Sequence, residues 1–258
     1  MPILLLKLVV TPLLIGGASL AARRWGPTIG GWLVAFPLTA GPVTFFIAIE
    51  LGVTFAAAVA EGALAADIAL AAYALAYGWS AAGGARWPAT LIVGSLAYAG
   101  LVVVLQPLLV LSVGLLLAVV FVVLWATLRF LPNAATGSAA VDLPWWDIPL
   151  RAVLGTAIVL LLTAVAPALG PHLSGLAATF PVYASILAVF TQHREGARQA
   201  IGVQRGLIAG LFGTAVFWAV VAVTLPQGGI AVAFGGAMVA VLIVQGVALR
   251  WLRTADRF

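Results

Sequence analysis

Two acidic residues stand where charge is costly. Glu61 and Asp67 are the only charged groups in the stretch 53–78, which is otherwise strongly apolar. A charge at the centre of a membrane helix costs about 2.5–3.5 kcal/mol on insertion scales. Such a carboxyl must face a protein interior and needs either a partner or a proton. Asp67 falls near the middle of its stretch. Glu61 is six residues away, roughly 9 Å along a helix and on a different face. Asp67 could therefore load and release a proton, or bind a cation, as a coupling group, with Glu61 a weaker second candidate. The structural alternative is a salt bridge, for which Arg205 is the best-placed cation in height.

A second group of candidates surrounds two proline breaks. The segment Phe36-Pro37-Leu38-Thr39-Ala40-Gly41-Pro42 has two prolines and a glycine in an apolar stretch. Each proline removes a backbone donor and clashes with the preceding turn, so the helix must kink or break. Carbonyls freed inside a membrane need protein or water partners. The chain repeats the arrangement: GPxxxGxxxxFP occurs from Gly26 to Pro37 and again from Gly170 to Pro181, an offset of 144 residues. At that offset Ala40 meets Ala184, Phe46 meets Phe190, Gly62 meets Gly206, and Lys7 meets Arg151. A single register held over so long a span indicates an internal duplication. The candidate substrate site is then Pro37, Thr39, Gly41 and Thr44 from one copy, with Pro181, Tyr183 and Ser185 from the other. The competing reading is a pair of packing kinks whose small residues let helices approach closely.

The elements that carry these residues are membrane helices. The chain has 258 residues, of which 64% are hydrophobic and 7% charged, with a mean hydropathy of +1.22. A water-soluble domain carries far more surface charge than this. Apolar runs of about 20 residues recur throughout, which predicts an all-α polytopic membrane protein and not a barrel of short alternating strands. Nine spans are expected: 2–20, 28–50, 53–78, 88–105, 108–130, 148–168, 172–192, 200–224 and 228–250. With the N-terminus outside, all eleven arginines fall on one side, which the positive-inside rule makes cytoplasmic. Spans 1–4 and 6–9 then form two four-helix repeats of opposite orientation, joined by span 5. The units are 1–105, an extra helix and cytoplasmic linker over 106–147, and 148–258. Such a 4+1+4 inverted repeat is characteristic of secondary transporters. Trp145 and Trp146 are expected to touch the headgroup layer.

Each half resembles the GlpM-type small four-helix membrane proteins. The residues that carry the resemblance are Lys7, Gly30-Gly31 and Phe36-Pro37 in the first half, and Arg151, Gly175 and Phe180-Pro181 in the second. It covers each half but not span 5. It implies a short unit that pairs with an inverted partner, here fused into one chain, and brings no catalytic or binding residues.

The remaining polar groups read more simply. Lys7 and Arg151 fit snorkelling anchors, with anion binding as the alternative. Glu50, His172 and His193 fall near span ends. Arg194, Arg198 and Arg205 fit a topology determinant that contacts anionic lipid. Cysteine is absent and there are two histidines, so no cofactor and no metal site is expected. No hydrolase elbow, P-loop or HExxH occurs, and the chain is not expected to be an enzyme. The expected function is a secondary carrier of the cell membrane working by alternating access. Its partners would be the lipid bilayer and a small-molecule or ion substrate, with no nucleic acid; a homodimer is compatible with this composition. The alternative is a non-transporting scaffold subunit of an envelope assembly. A carrier needs a polar cavity reaching Asp67, whereas a scaffold would be packed dry there; a channel would show a continuous pore.

Overall fold

A computed structural model of the chain describes residues 2–37, 40–105, 111–134, 146, 148–150, 152–154, 156–157 and 179–255. Eight helices organise them: α1 Pro2–Trp25, α2 Pro27–Val34, α3 Ala40–Glu50, α4 Val53–Ala82, α5 Trp87–Val104, α6 Val113–Phe130, α7 Val182–Glu195 and α8 Ala197–Ala255. There is no strand among the described residues. The expected spans map onto these helices except 148–168 and the start of 172–192, most of which lie outside the described residues. Thr39, Arg151, His172 and Trp145 also lie outside them. Arg23 and Arg24 belong to the last turn of α1 and not to a loop, since α1 continues past the expected end at 20.

Helix α8 is two helices. Its backbone leaves helical geometry at Gly229, with φ 73° and ψ 178°. Beyond that point the chain folds back: Gln245 Nε2 donates to the Gly210 carbonyl at 2.8 Å, and the rings of Phe217 and Phe234 lie 6.2 Å apart. In one straight helix the first pair would be about 50 Å apart. The two arms correspond to expected spans 200–224 and 228–250.

Two of the joints between helices turn on a glycine. Gly52 (φ 91°, ψ 160°) separates α3 from α4, and Gly196 (φ 100°, ψ 175°) separates α7 from α8. A residue with a Cβ is strained in that backbone region, so the chain can change direction there within one residue only with glycine. These two joints are 144 residues apart.

Four helices among the described residues are long and apolar enough to cross a membrane: α4, α5, α6 and the run Ala197–Arg250 of α8. Their outward faces are apolar too. In the second arm of α8 the buried stripe is Ala233, Ala237, Val241 and Gln245, at a spacing of four, while Val232, Val239, Ile243 and Val247 are exposed. A helix that is apolar all round suits the hydrocarbon of a bilayer, not water. α5 and α6 repeat the pattern, with Leu96, Val103, Val122 and Trp125 outward.

Helix α4 is the centre of the bundle. It packs most extensively on α8 and also on α3, α5 and α6. Its alanines, Ala56, Ala60, Ala63, Ala69, Ala71 and Ala74, are buried and keep the neighbours close. The end of α4 meets the start of α8, since Ala81 shares cavity walls with Ala197 and Ile201; the two run in opposite directions. α2 packs on α8 through backbone contact. A Cβ at Gly31 would overlap the Val203 carbonyl, and one at Gly206 would overlap the Thr28 carbonyl. The glycines of the Gly202-x-x-x-Gly206-x-x-x-Gly210 stripe thus give way to α2.

Candidate functional site

Asp67 stands at the middle of α4, fully enclosed at 1% exposure. Its Oδ2 is buried and has no hydrogen-bond partner among the described residues. The salt bridge to Arg205, the structural alternative to a coupling role, is not formed. Arg205 instead donates from Nε to the Pro132 carbonyl at 3.3 Å and from a terminal guanidinium nitrogen to the Leu131 carbonyl at 3.0 Å. The physical reason is local: α6 ends at Phe130, and the Leu131 and Pro132 carbonyls just beyond it, at the negative end of the helix, draw the guanidinium. Glu61 is half-buried, between the buried Ala60 and Ala63 of the same helix.

Both proline breaks are present. The first separates α2 from α3 at Ala35-Phe36-Pro37. The freed Ala35 carbonyl accepts the Thr214 hydroxyl of α8. Pro37 is buried, and Gly41 is buried against the ring of Phe217. Thr44 is buried, but its hydroxyl is spent on the Ala40 carbonyl of its own helix at 2.9 Å. The second break, at Phe180-Pro181, precedes α7. Pro181 and Ser185 are buried and Tyr183 is half-buried. The Phe180 ring meets Tyr73 at 6.1 Å and Tyr98 at 5.5 Å between centroids. Each break therefore rests on the long helix of the other half. Thr44 and Ser185 have different partners, and neither lines a described cavity.

Apart from Ser185, the polar side chains on the Asp67 side of α4 and α5 were not singled out from the sequence. They form three storeys of side-chain hydrogen bonds between the α7 segment and helices α4 and α5. In the first, Tyr98 and Thr179 are joined hydroxyl to hydroxyl at 2.6 Å; Gly94 packs on Tyr73, so Tyr98, one turn further along α5, stands on the Asp67 side of that level. In the second, Tyr73 and Ser185 are joined at 2.7 Å. In the third, Gln192 Oε1 accepts from Tyr77 at 2.7 Å and from Thr90 at 2.8 Å, while its Nε2 donates to the Ala85 carbonyl at 2.9 Å. Three of the four tyrosines in the chain are thus interior. The signal was available: tyrosine prefers the membrane–water interface, yet Tyr73 and Tyr98 fall inside apolar spans.

The third storey opens on the arginine-rich end of the bundle. Two cavities of about 420 Å³ each lie there. One is lined by Arg86, Gln192 and His193, the other by Asn133, Arg198 and Ile201. Nearby, the Arg194 guanidinium lies over the Trp146 ring at 5.2 Å. Gathering Arg86, Arg194 and Arg198 at one end is what the arginine distribution predicted. No group of three or more metal-ligating side chains occurs among the described residues. No family model, curated protein or solved structure matches the chain.

Proposed function

We propose that the chain is a secondary carrier of the cell membrane, built from two inverted four-helix repeats around the extra helix α6, with Asp67 as its coupling group. The observation that carries the reading is an exchange of contacts. Tyr73 of α4 packs on Ser185 of α7, and Phe217 of α8 packs on Gly41 of α3. Adding 144 to Tyr73 gives Phe217, and adding 144 to Gly41 gives Ser185. Each copy's long helix thus holds the other copy's broken helix, as a two-fold axis between the copies requires. The opposite directions of α4 and α8 support an axis in the membrane plane, which is the arrangement of alternating-access carriers. The paired glycine joints Gly52 and Gly196 support the same register. The N-terminus is outside and the arginine-rich end cytoplasmic on this reading, and the likeness of each half to GlpM-type proteins belongs to it.

An enclosed Asp67, away from both described cavities, favours the second reading of a non-transporting membrane subunit. On the carrier reading the same feature is the closed state. Proteoliposomes decide between them. Solute-dependent proton flux across a broad solute panel, lost in Asp67→Asn, is expected of the carrier. Absence of any solute response in the wild type leaves the scaffold reading. Unchanged coupling in the variant removes Asp67 from the mechanism.

A further inference from the structure

The three storeys lead in one direction only. They begin at Tyr98, which the antiparallel packing of α4 and α5 (Gly94 on Tyr73, Thr90 and Tyr77 on Gln192) puts within one helical turn of Asp67 in height, and end at the cavity lined by Arg86 and His193. On α7 and the residues before it they are anchored at Thr179, Ser185 and Gln192, the step from Ser185 to Gln192 being roughly 10.5 Å along the helix. Residues 144 positions away show what the other half has instead. Tyr98–Thr179 corresponds to Leu242 and Ala35, Tyr73–Ser185 to Phe217 and Gly41, and Tyr77–Gln192 to Val221 and Ala48. Asp67 corresponds to Leu211. At these positions the second half carries no hydroxyl, although it is not apolar throughout: Leu242 is exposed where Tyr98 is buried, Thr214 donates to the Ala35 carbonyl and Gln245 to the Gly210 carbonyl. Where both halves bury the pair, Phe217 packs on Gly41 without a hydroxyl, so packing alone does not call for the Tyr73–Ser185 bond.

The ligand at Asp67 follows from the space available. An organic cation needs a cavity, and a metal ion needs a shell of several oxygens. Oδ2 is enclosed without a partner among the described residues. A proton needs neither. We propose that Asp67 binds a proton delivered through these hydroxyls from the Arg86–His193 end. This names the coupling ion of the proposed carrier and rests on that reading.

The transfer balances without charging any hydroxyl. Each passes its own proton forward and takes one from behind, so that one proton leaves the mouth and one O–H bond forms at Asp67. Gln192 is a positioning residue: its carbonyl orients the Tyr77 and Thr90 hydroxyls and leaves their lone pairs able to accept from water. The proposal requires transient waters to bridge the gaps between storeys, each held by two to four polar partners. The other charged or titratable groups on α4 and the helices packed against it are Glu61 on α4 itself, Glu50 on α3, Tyr98 on α5, Arg129 on α6, and Arg198, Arg205, Arg250 and Arg253 on α8. None hydrogen-bonds Asp67 Oδ2 among the described residues.

The test is infrared difference spectroscopy on the full chain in liposomes, without solute, during a pH change. The wild type is expected to show the carbonyl band of a protonated carboxylic acid that Asp67→Asn lacks. After a pH jump, Tyr73→Phe and Tyr77→Phe should slow the band's appearance at least roughly tenfold at unchanged amplitude. Phe217→Leu, in the second half, should leave the rate alone. Ser185→Ala replaces Tyr73→Phe if that variant does not fold. A band that persists in Asp67→Asn, or rates unchanged in both tyrosine variants, overturns the proposal. Proton binding without solute flux would instead remove the carrier reading and leave this one standing. Solute flux without the band would do the reverse.

Discussion

Replacing Tyr73 by phenylalanine removes one hydroxyl and leaves the ring in place. Ser185 then loses its 2.7 Å partner in a buried setting. A hydrogen bond of this kind contributes about 1 kcal/mol net, and about 0.6 kcal/mol on average between membrane helices. Ser185→Gly loses the same bond plus roughly 0.5 kcal/mol of helix propensity. The double substitution loses the bond once. It should therefore be less damaging than the two singles added together, by about 0.6–1 kcal/mol. It also gives this site the Phe–Gly pairing that Phe217 and Gly41 already make in the same fold, so no clash or cavity is expected. The assay is reversible unfolding in mixed micelles with rising SDS, followed through the nine native tryptophans. Singles and double together give the coupling energy. Additivity within about 0.3 kcal/mol would mean that the two side chains do not meet. A double variant worse than the sum would mean that the two sites are not equivalent, and would refute the exchange of contacts between halves.

Two further outcomes follow from the packing. Gly206→Leu must push α2 off α8, because even a Cβ there overlaps the Thr28 carbonyl; it should cost more than about 3 kcal/mol in the same unfolding assay, whereas Gly62→Leu, which has open space, should cost far less. Arg205→Leu should leave the carbonyls of Leu131 and Pro132 without their donor and cost about 1–2 kcal/mol, with no change in any property of Asp67.

Much of the frame was legible in the residues. Pro37 and Pro181 marked both breaks, because proline acts on the backbone whatever surrounds it. The turn at Gly229 fell within two residues of an expected span start, since Pro226 and Gly228–Gly229 interrupt an otherwise uniform apolar run. Hydropathy placed the outward faces less well: α5, α6 and α8 are apolar on every side, so the pattern carries no phase, and only the contacts distinguish Ala237 from Val239. The site was half legible. Asp67 was conspicuous by its cost. Its hydroxyl neighbours were not, because Tyr98, Thr179 and Gln192 come from distant segments and are joined only by the tertiary fold. Arg205 was misassigned for a related reason. Depth along a helix suggested a carboxylate, while the nearer claim came from the exposed carbonyls at the end of α6.

The central claim, that two copies of one unit face opposite sides of a membrane, can be read from labelling. The chain has no cysteine, so single substitutions report without background. Thr54 and Arg198 are both exposed, stand just after the joints Gly52 and Gly196, and differ by 144. In intact cells an impermeant maleimide should react with Thr54→Cys, and with Arg198→Cys only after permeabilisation. Reaction of both from the same side would contradict the inverted arrangement and the carrier built on it.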